Sequence, residues 1–285
     1  MQTPPTDFSV YAQRKVDSHC HVLDPNNFAY APDVAYKPAG QETGTADYFA
    51  RLLDAYGAEH ALLVGPNSGY NTDNRCLLKA IAQGRGRFKG IAVVAHDTSA
   101  QQLQDLKAQG IVGIAFNYAL HGHDYYANVG PLWERLAALG MFVQVQADQN
   151  QLHTLASHMQ DCGAPLLIDH CGRPTVSEGI GGAGFAALLR LASTGRATVK
   201  LSGFAKFSQQ GYPFNDTAAY ACALLEAFGA QHCVWASDWP FLKASSRLDY
   251  GALLQLFAHA VPDAAMREDI LWNTPMRLFG FGSVA

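Results

Sequence analysis

Short β-branched runs alternate along this chain with amphipathic stretches rich in alanine and leucine. The runs "KVDSHCH" (15–21), "HALLVG" (60–65), "FKGIAVV" (88–94), "VGIAFN" (112–117), "MFVQVQAD" (141–148), "PLLIDH" (165–170), "ATVKLSG" (197–203) and "CVWASD" (233–238) read as strands that end on polar residues. Helices are predicted near 45–56, 72–83, 99–109, 130–139, 149–161, 182–194, 216–228 and 249–260. In the last of these, Leu253, Leu254, Phe257 and Val261 keep the 3.6-residue rhythm. Gly57, Gly110, Gly140, Gly163 and Gly229 each stand between a helix and the next strand, at the place a left-handed C′ residue occupies. Eight strands alternating with eight helices predict a closed (β/α)8 TIM barrel, an architecture of about 250 residues. The competing open, doubly wound sheet needs a glycine-rich turn after its first strand. Here that turn is "HVLDPNN", so residues 1–285 are read as one barrel domain. The segment 22–44 is too long for a routine βα turn and is a candidate wall of a substrate pocket, or else a surface excursion.

With 49% hydrophobic and 15% charged residues in 285, the chain can bury a large core. A net charge of −4 without any block of like charges argues against a nucleic-acid stripe or a basic membrane patch. No apolar run reaches the roughly 20 residues of a transmembrane helix. The six cysteines are scattered with no Cys-x-x-Cys, and the first fifteen residues carry no apolar signal core. These features predict a cytoplasmic protein with free thiols and a small-molecule substrate. A homo-oligomer is compatible with the sequence, which says little about assembly.

In such a barrel, reactive groups stand at the C-terminal strand ends and on the loops that follow. Strand one ends with His19 and His21, which the two-residue period turns to one side, with Cys20 on the other. Strand four ends in Asn117, strand five in Gln144 and Gln146, and strand six in Asp169, His170 and Arg173. Lys200, Ser202 and Lys206 follow along strand seven, and Asp238 with Trp239 and Pro240 closes strand eight. A single histidine is more often a satisfied core residue. Three imidazoles and a carboxylate gathered at strand ends would be costly filler, so they read as a functional set.

"HCH" on strand one, "DHCGRP" on strand six, "SDWP" on strand eight and the closing "NTPMRLFGF" (273–281) resemble the amidohydrolase superfamily. More narrowly, they resemble its amidohydrolase-2 branch and, within it, the 2-pyrone-4,6-dicarboxylate lactonases. The resemblance implies a hydrolase in which Asp238 is the general base toward water, while His19, His21 and His170 polarise the substrate carbonyl or orient the water. It also implies two possible cofactor states. Metal-dependent relatives hold a divalent ion on the first-strand pair, a fifth-strand histidine and the eighth-strand aspartate, which here leaves His19, His21 and Asp238 for one zinc or manganese. This chain departs from them with Gln144 and Gln146 on strand five and Asn117 on strand four. The lactonase resemblance implies chemistry without a divalent metal, and that is the expectation here.

Fourth strands of the branch often read Gly-x-Arg-x-Asn, whereas this chain has "GIAFN", with Ala115 at the arginine position. Lys206 stands near where an arginine is common after strand seven, and a lysine offers a point charge, not a fork. Arg173, Lys206, Ser68 and Asn117 are the candidates for contacts to a carboxylated substrate. Arg173 is equally readable as a structural arginine bonding loop carbonyls, and Ser68 as a turn residue. His121 and His123, in "ALHGHDYY", form a second His-x-His on a predicted loop, as mouth-of-pocket or surface residues with Tyr125 and Tyr126. Trp133, Trp235 and Trp272 read as packing. The function expected is the opening of a lactone, an activated cyclic ester whose leaving group suits modest machinery. The alternatives are a metal-dependent amidohydrolase or decarboxylase, and a non-catalytic binding barrel.

Overall fold

A computed structural model describes residues 6–282, and within them all eight expected strands form. They are β1 (Lys15–Cys20), β2 (Ala58–Val64), β3 (Phe88–Ala92), β4 (Ile111–Asn117), β5 (Phe142–Gln146), β6 (Leu166–Ile168), β7 (Ala197–Leu201) and β8 (Cys233–Trp235). Each pairs in parallel with the next, in the order β1 to β8. The barrel closes just beyond β8: Cys20 bridges Trp239, the Asp238 N–H donates to His19 O at 2.9 Å, and the His21 N–H donates to Trp239 O at 2.8 Å.

The eight expected helices are also present: Ala46–Ala55, Arg75–Gln83, Ala100–Ala108, Gly130–Leu139, Gln151–Asp161, Ala183–Leu191, Ala218–Phe228 and Tyr250–Ala260. Gly110 and Gly140, at the ends of two of them, adopt φ of 95° and 61°, which an L side chain resists. One element departs from expectation. "ALHGHDYY" is not a loop but most of a helix, Tyr118–Tyr125, broken at Gly122, where φ is 76° and ψ −179°. That break, in a stretch of histidines and tyrosines, is why no helical rhythm shows in the sequence.

The interior is filled from both ends. Val16, Leu62, Ile91, Phe142, Leu167 and Val234 join Phe279 and Phe281 of the closing segment in one buried cluster. Residues 16 and 19 would face opposite sides of a regular strand, yet both Val16 and His19 enter the interior. The register shift between Asp17 and Cys20 makes this possible. Outside the sheet, a larger apolar cluster that includes Trp133 and Trp235 lies between strands and helices, as expected of both tryptophans, and Trp272 packs against the inner cluster. No helix among the described residues is long and apolar enough to cross a membrane, and the six cysteines are free thiols.

Two features tie the seam between β1 and β8. Asp17, fully buried, accepts from the Ser237 N–H at 3.0 Å and from the Ser237 hydroxyl. Asp17→Ala leaves both donors unsatisfied and is expected to destabilise the fold by about 3 kcal/mol, read from the urea midpoint. The ends of segment 22–44 pair with each other, the Leu23 N–H donating to Gly44 O at 2.8 Å, and Ala35 and Tyr36 from its middle line the main cavity. Gly44 is required there, because a Cβ would lie 1.9 Å from the Trp239 ring.

Candidate active site

The strand ends surround a cavity of about 420 Å³ that takes in every residue given a catalytic or substrate-binding role from the sequence: His19, His21, Ser68, Asn117, His170, Arg173, Lys206 and Asp238. Asp238 is its centre. One carboxylate oxygen, Oδ1, faces the Nε2 atoms of His19, His21 and His170 at 3.8, 3.7 and 3.7 Å. The other, Oδ2, is paired with Lys206 Nζ at 2.9 Å. The backbone supporting this cluster is strained, with φ of 61° at Asp238 and 52° at His170, outside the wells that non-glycine residues favour. Such strain persists where the surroundings over-determine it, and it gathers at functional sites.

Burial alone would raise the Asp238 carboxyl. Lys206, then His170, His21 and His19, hold it well below the usual carboxylate range instead. Burial and then the Lys200 ammonium push His19 down to about 4, and burial pushes His170 well below the usual imidazole range. The cluster at neutral pH is therefore an ionised carboxylate facing neutral His19 and His170 rings. His21 Nδ1 lies 2.8 Å from Val64 O, an acceptor, so Nδ1 carries a proton. His170 Nδ1 lies 3.0 Å from Ser202 Oγ. Gly203 lets the next loop cross close to that ring, since a Cβ there would stand 2.6 Å from His170 Cγ.

The four candidate substrate contacts are placed less evenly. Lys206 is engaged with Asp238. Arg173 pairs with Asp148 at 3.3 Å, a carboxylate and not the loop carbonyls. Asn117 Oδ1 accepts from the Leu120 N–H at 3.0 Å, capping the Tyr118–Tyr125 helix, so its side chain has a structural task as well as a place on the cavity wall. Ser68 lines the cavity beside Asn67. His121 and His123 are not among the lining residues. His121 stacks on Tyr125 at 4.3 Å, and His123 Nε2 meets Thr154 Oγ1 at 2.9 Å.

A divalent cation can be tested against these partners. Ligand atoms of His19, His21 and Asp238 lie within 4.8 Å of one another, close enough to converge on one ion. Their hydrogen bonds do not suit it. Lys206 sits on the Asp238 carboxylate, and a second ammonium, Lys200, lies 3.0 Å from His19 Nδ1. On the fifth strand, Gln144 is committed to Lys200 and Asp169 at 2.7 and 3.0 Å. A zinc site wants at least three good ligands. Here two of the three have cations as neighbours, and the donor set does not fit a tightly held ion.

An amidohydrolase family model matches residues 16–281. The chain belongs to the amidohydrolase family. Among its relatives is a 4-sulfomuconolactone hydrolase of Rhizobium radiobacter, 31% identical over 272 residues, 93% of this chain and 89% of that one. A 2-pyrone-4,6-dicarboxylate hydrolase of Comamonas testosteroni is 26% identical over 93% of this chain and 89% of its own length. Among solved structures, a probable 2-pyrone-4,6-dicarboxylic acid hydrolase of Acinetobacter baumannii, with citric acid bound, superposes with a TM-score of 0.85 at 29% identity. The superposition covers 94% of this chain and 99% of the other.

Sequence reading of this amidohydrolase assigned no role to the trio behind His19. Lys200, Asp169 and Gln144 are fully buried and joined to one another, with Lys200 Nζ 3.0 Å from Asp169 Oδ1. The two-residue period along β7 offered a signal, since it turns Lys200 and Ser202 to the same side. Lys243, on the loop after β8, is a further cation on the cavity wall.

Proposed function

We propose that the protein is a hydrolase that opens a lactone ring on a small anionic compound. The observation that carries the reading is the split environment of Asp238, with one oxygen held by Lys206 and the other open to three imidazoles. A carboxylate held ionised in this way serves as general base. Water attacks the lactone carbonyl carbon and its proton passes to Asp238. The oxyanion that forms is stabilised by imidazole N–H donors and by the Lys206 ammonium. Collapse breaks the ring C–O bond, and the departing oxygen receives the proton held on Asp238. An ester with an enol or alcohol leaving group is within reach of this machinery, whereas an unactivated amide would demand stronger activation. The donor set's poor fit to a divalent ion supports a reaction that needs no metal.

The cavity supports an anionic substrate held on one side. Its cations, Arg173, Lys206 and Lys243, follow β6, β7 and β8, while Ala115 leaves the β4 side uncharged and Ser68 supplies a neutral donor. The relatives named above act on carboxylated or sulfonated rings, and the Acinetobacter protein holds a tricarboxylic acid, all consistent with such a pocket. A panel of carboxylated and sulfonated lactones, followed by acid release with and without chelator, tests the reading. Turnover that survives chelation is expected. Loss of activity on chelation, with one equivalent of zinc or manganese in the protein, would replace it with a metal-dependent hydrolase or decarboxylase. Inertness across the panel would leave a binding protein.

A further inference from the structure

Lys200 points from β7 into the barrel interior, and its ammonium has three polar side-chain neighbours there. Gln144 Oε1 is 2.7 Å away, Asp169 Oδ1 3.0 Å and His19 Nδ1 3.0 Å. An ammonium carries three N–H donors and no acceptor, so this arrangement is complete only if all three neighbours accept. Gln144 is already oriented for that, because its Nε2 donates to Asp169 Oδ2 at 3.0 Å and leaves Oε1 toward Lys200. Asp169 accepts through both oxygens. The third neighbour must then present a lone pair at Nδ1, which places the proton of the neutral ring on Nε2.

We propose that Lys200, held by Gln144 and Asp169, is a positioning residue that fixes His19 as its Nε2–H tautomer. That nitrogen is the one 3.8 Å from Asp238 Oδ1, at the floor of the cavity. His19 thereby becomes a hydrogen-bond donor at the reacting centre and loses the lone pair a divalent cation would need. His21 is set the other way, its Nδ1–H committed to Val64 O. The competing arrangement, His19 Nδ1–H donating to Asp169 Oδ1 at 3.2 Å, would set that hydrogen against one of the ammonium's across 3.0 Å. Burying a charged lysine is costly without such partners, and Asp169 supplies the compensating charge.

The donor role of His19 in turnover rests on the lactone-hydrolase reading, but the tautomer does not, and it is measured without substrate. Protein carrying 15N-histidine, with signals assigned through His19→Gln and His21→Gln, reports by long-range nitrogen–proton correlation which nitrogen is protonated. His19 protonated at Nε2 and His21 at Nδ1 are expected in the wild type. In Lys200→Met, His19 should turn its proton to Nδ1, toward Asp169. Zinc affinity, read by competition with a chromophoric chelator, should rise at least about tenfold, as expected when a withheld ligand is released. A wild-type His19 protonated at Nδ1 overturns the proposal whatever the variant does. So does a folded Lys200→Met that keeps the Nε2–H form or gains no zinc affinity.

Discussion

Asp238→Asn is expected to lower kcat/KM by about a thousandfold or more while leaving the unfolding midpoint near that of the wild type. Asparagine suits the test for a backbone reason. Residue 238 has φ of 61°, and asparagine is among the few L residues that tolerate the left-handed region. The substitution keeps the volume and can keep one contact to Lys206, but it removes the carboxylate whose Oδ1 faces His19, His21 and His170 together. Steady-state kinetics on a lactone found in the panel, with thermal unfolding in parallel, separates loss of the base from loss of the fold. Activity within tenfold of wild type would remove Asp238 from its assigned role.

Lys206→Met is expected to reshape the pH profile. Lys206 is the foremost influence holding the Asp238 carboxyl low, against burial that would raise it. An acid held low is ionised, and so active as a base, at every pH above its depressed value. Without the ammonium, a higher pH is needed to ionise it, so the acidic limb of kcat/KM moves upward. The loss should be largest at acidic pH, about a hundredfold near pH 5, and shrink toward pH 8. A profile of unchanged shape with a raised KM would instead make Lys206 a substrate contact only. Both effects together would show one cation serving base and substrate.

The strand ends were legible in the sequence because the two-residue period and the barrel's polarity both constrain them. His19, His21, His170 and Asp238 come from three separate strand ends and meet around a single oxygen atom, as that logic requires. The helix ends were legible through their glycines. The Tyr118–Tyr125 helix was not, because Gly122 breaks its only turn-to-turn rhythm, and Asn117, read as a substrate contact, turned out also to be its cap. The trio behind His19 was hidden for a different reason. Lys200, Asp169 and Gln144 meet across three neighbouring strand ends, and their pairing depends on stagger and tilt, which residue types do not reveal. Gln144 shows the cost of that blindness. It reads in the sequence as a missing metal ligand, whereas in the fold it anchors a lysine.

The seam between β1 and β8 makes folding and reactivity inseparable at one place. The backbone bonds that complete the cylinder run from Asp238 N–H to His19 O and from His21 N–H to Trp239 O, through the very residues whose side chains form the cluster. A stave barrel opens where its last hoop is fastened. Any local breathing there pulls base and imidazoles apart before the remaining seven strand pairings are disturbed. The amide hydrogens of His21 and Asp238 are therefore natural reporters, and their exchange with solvent would time how often the enzyme momentarily disarms itself while staying folded.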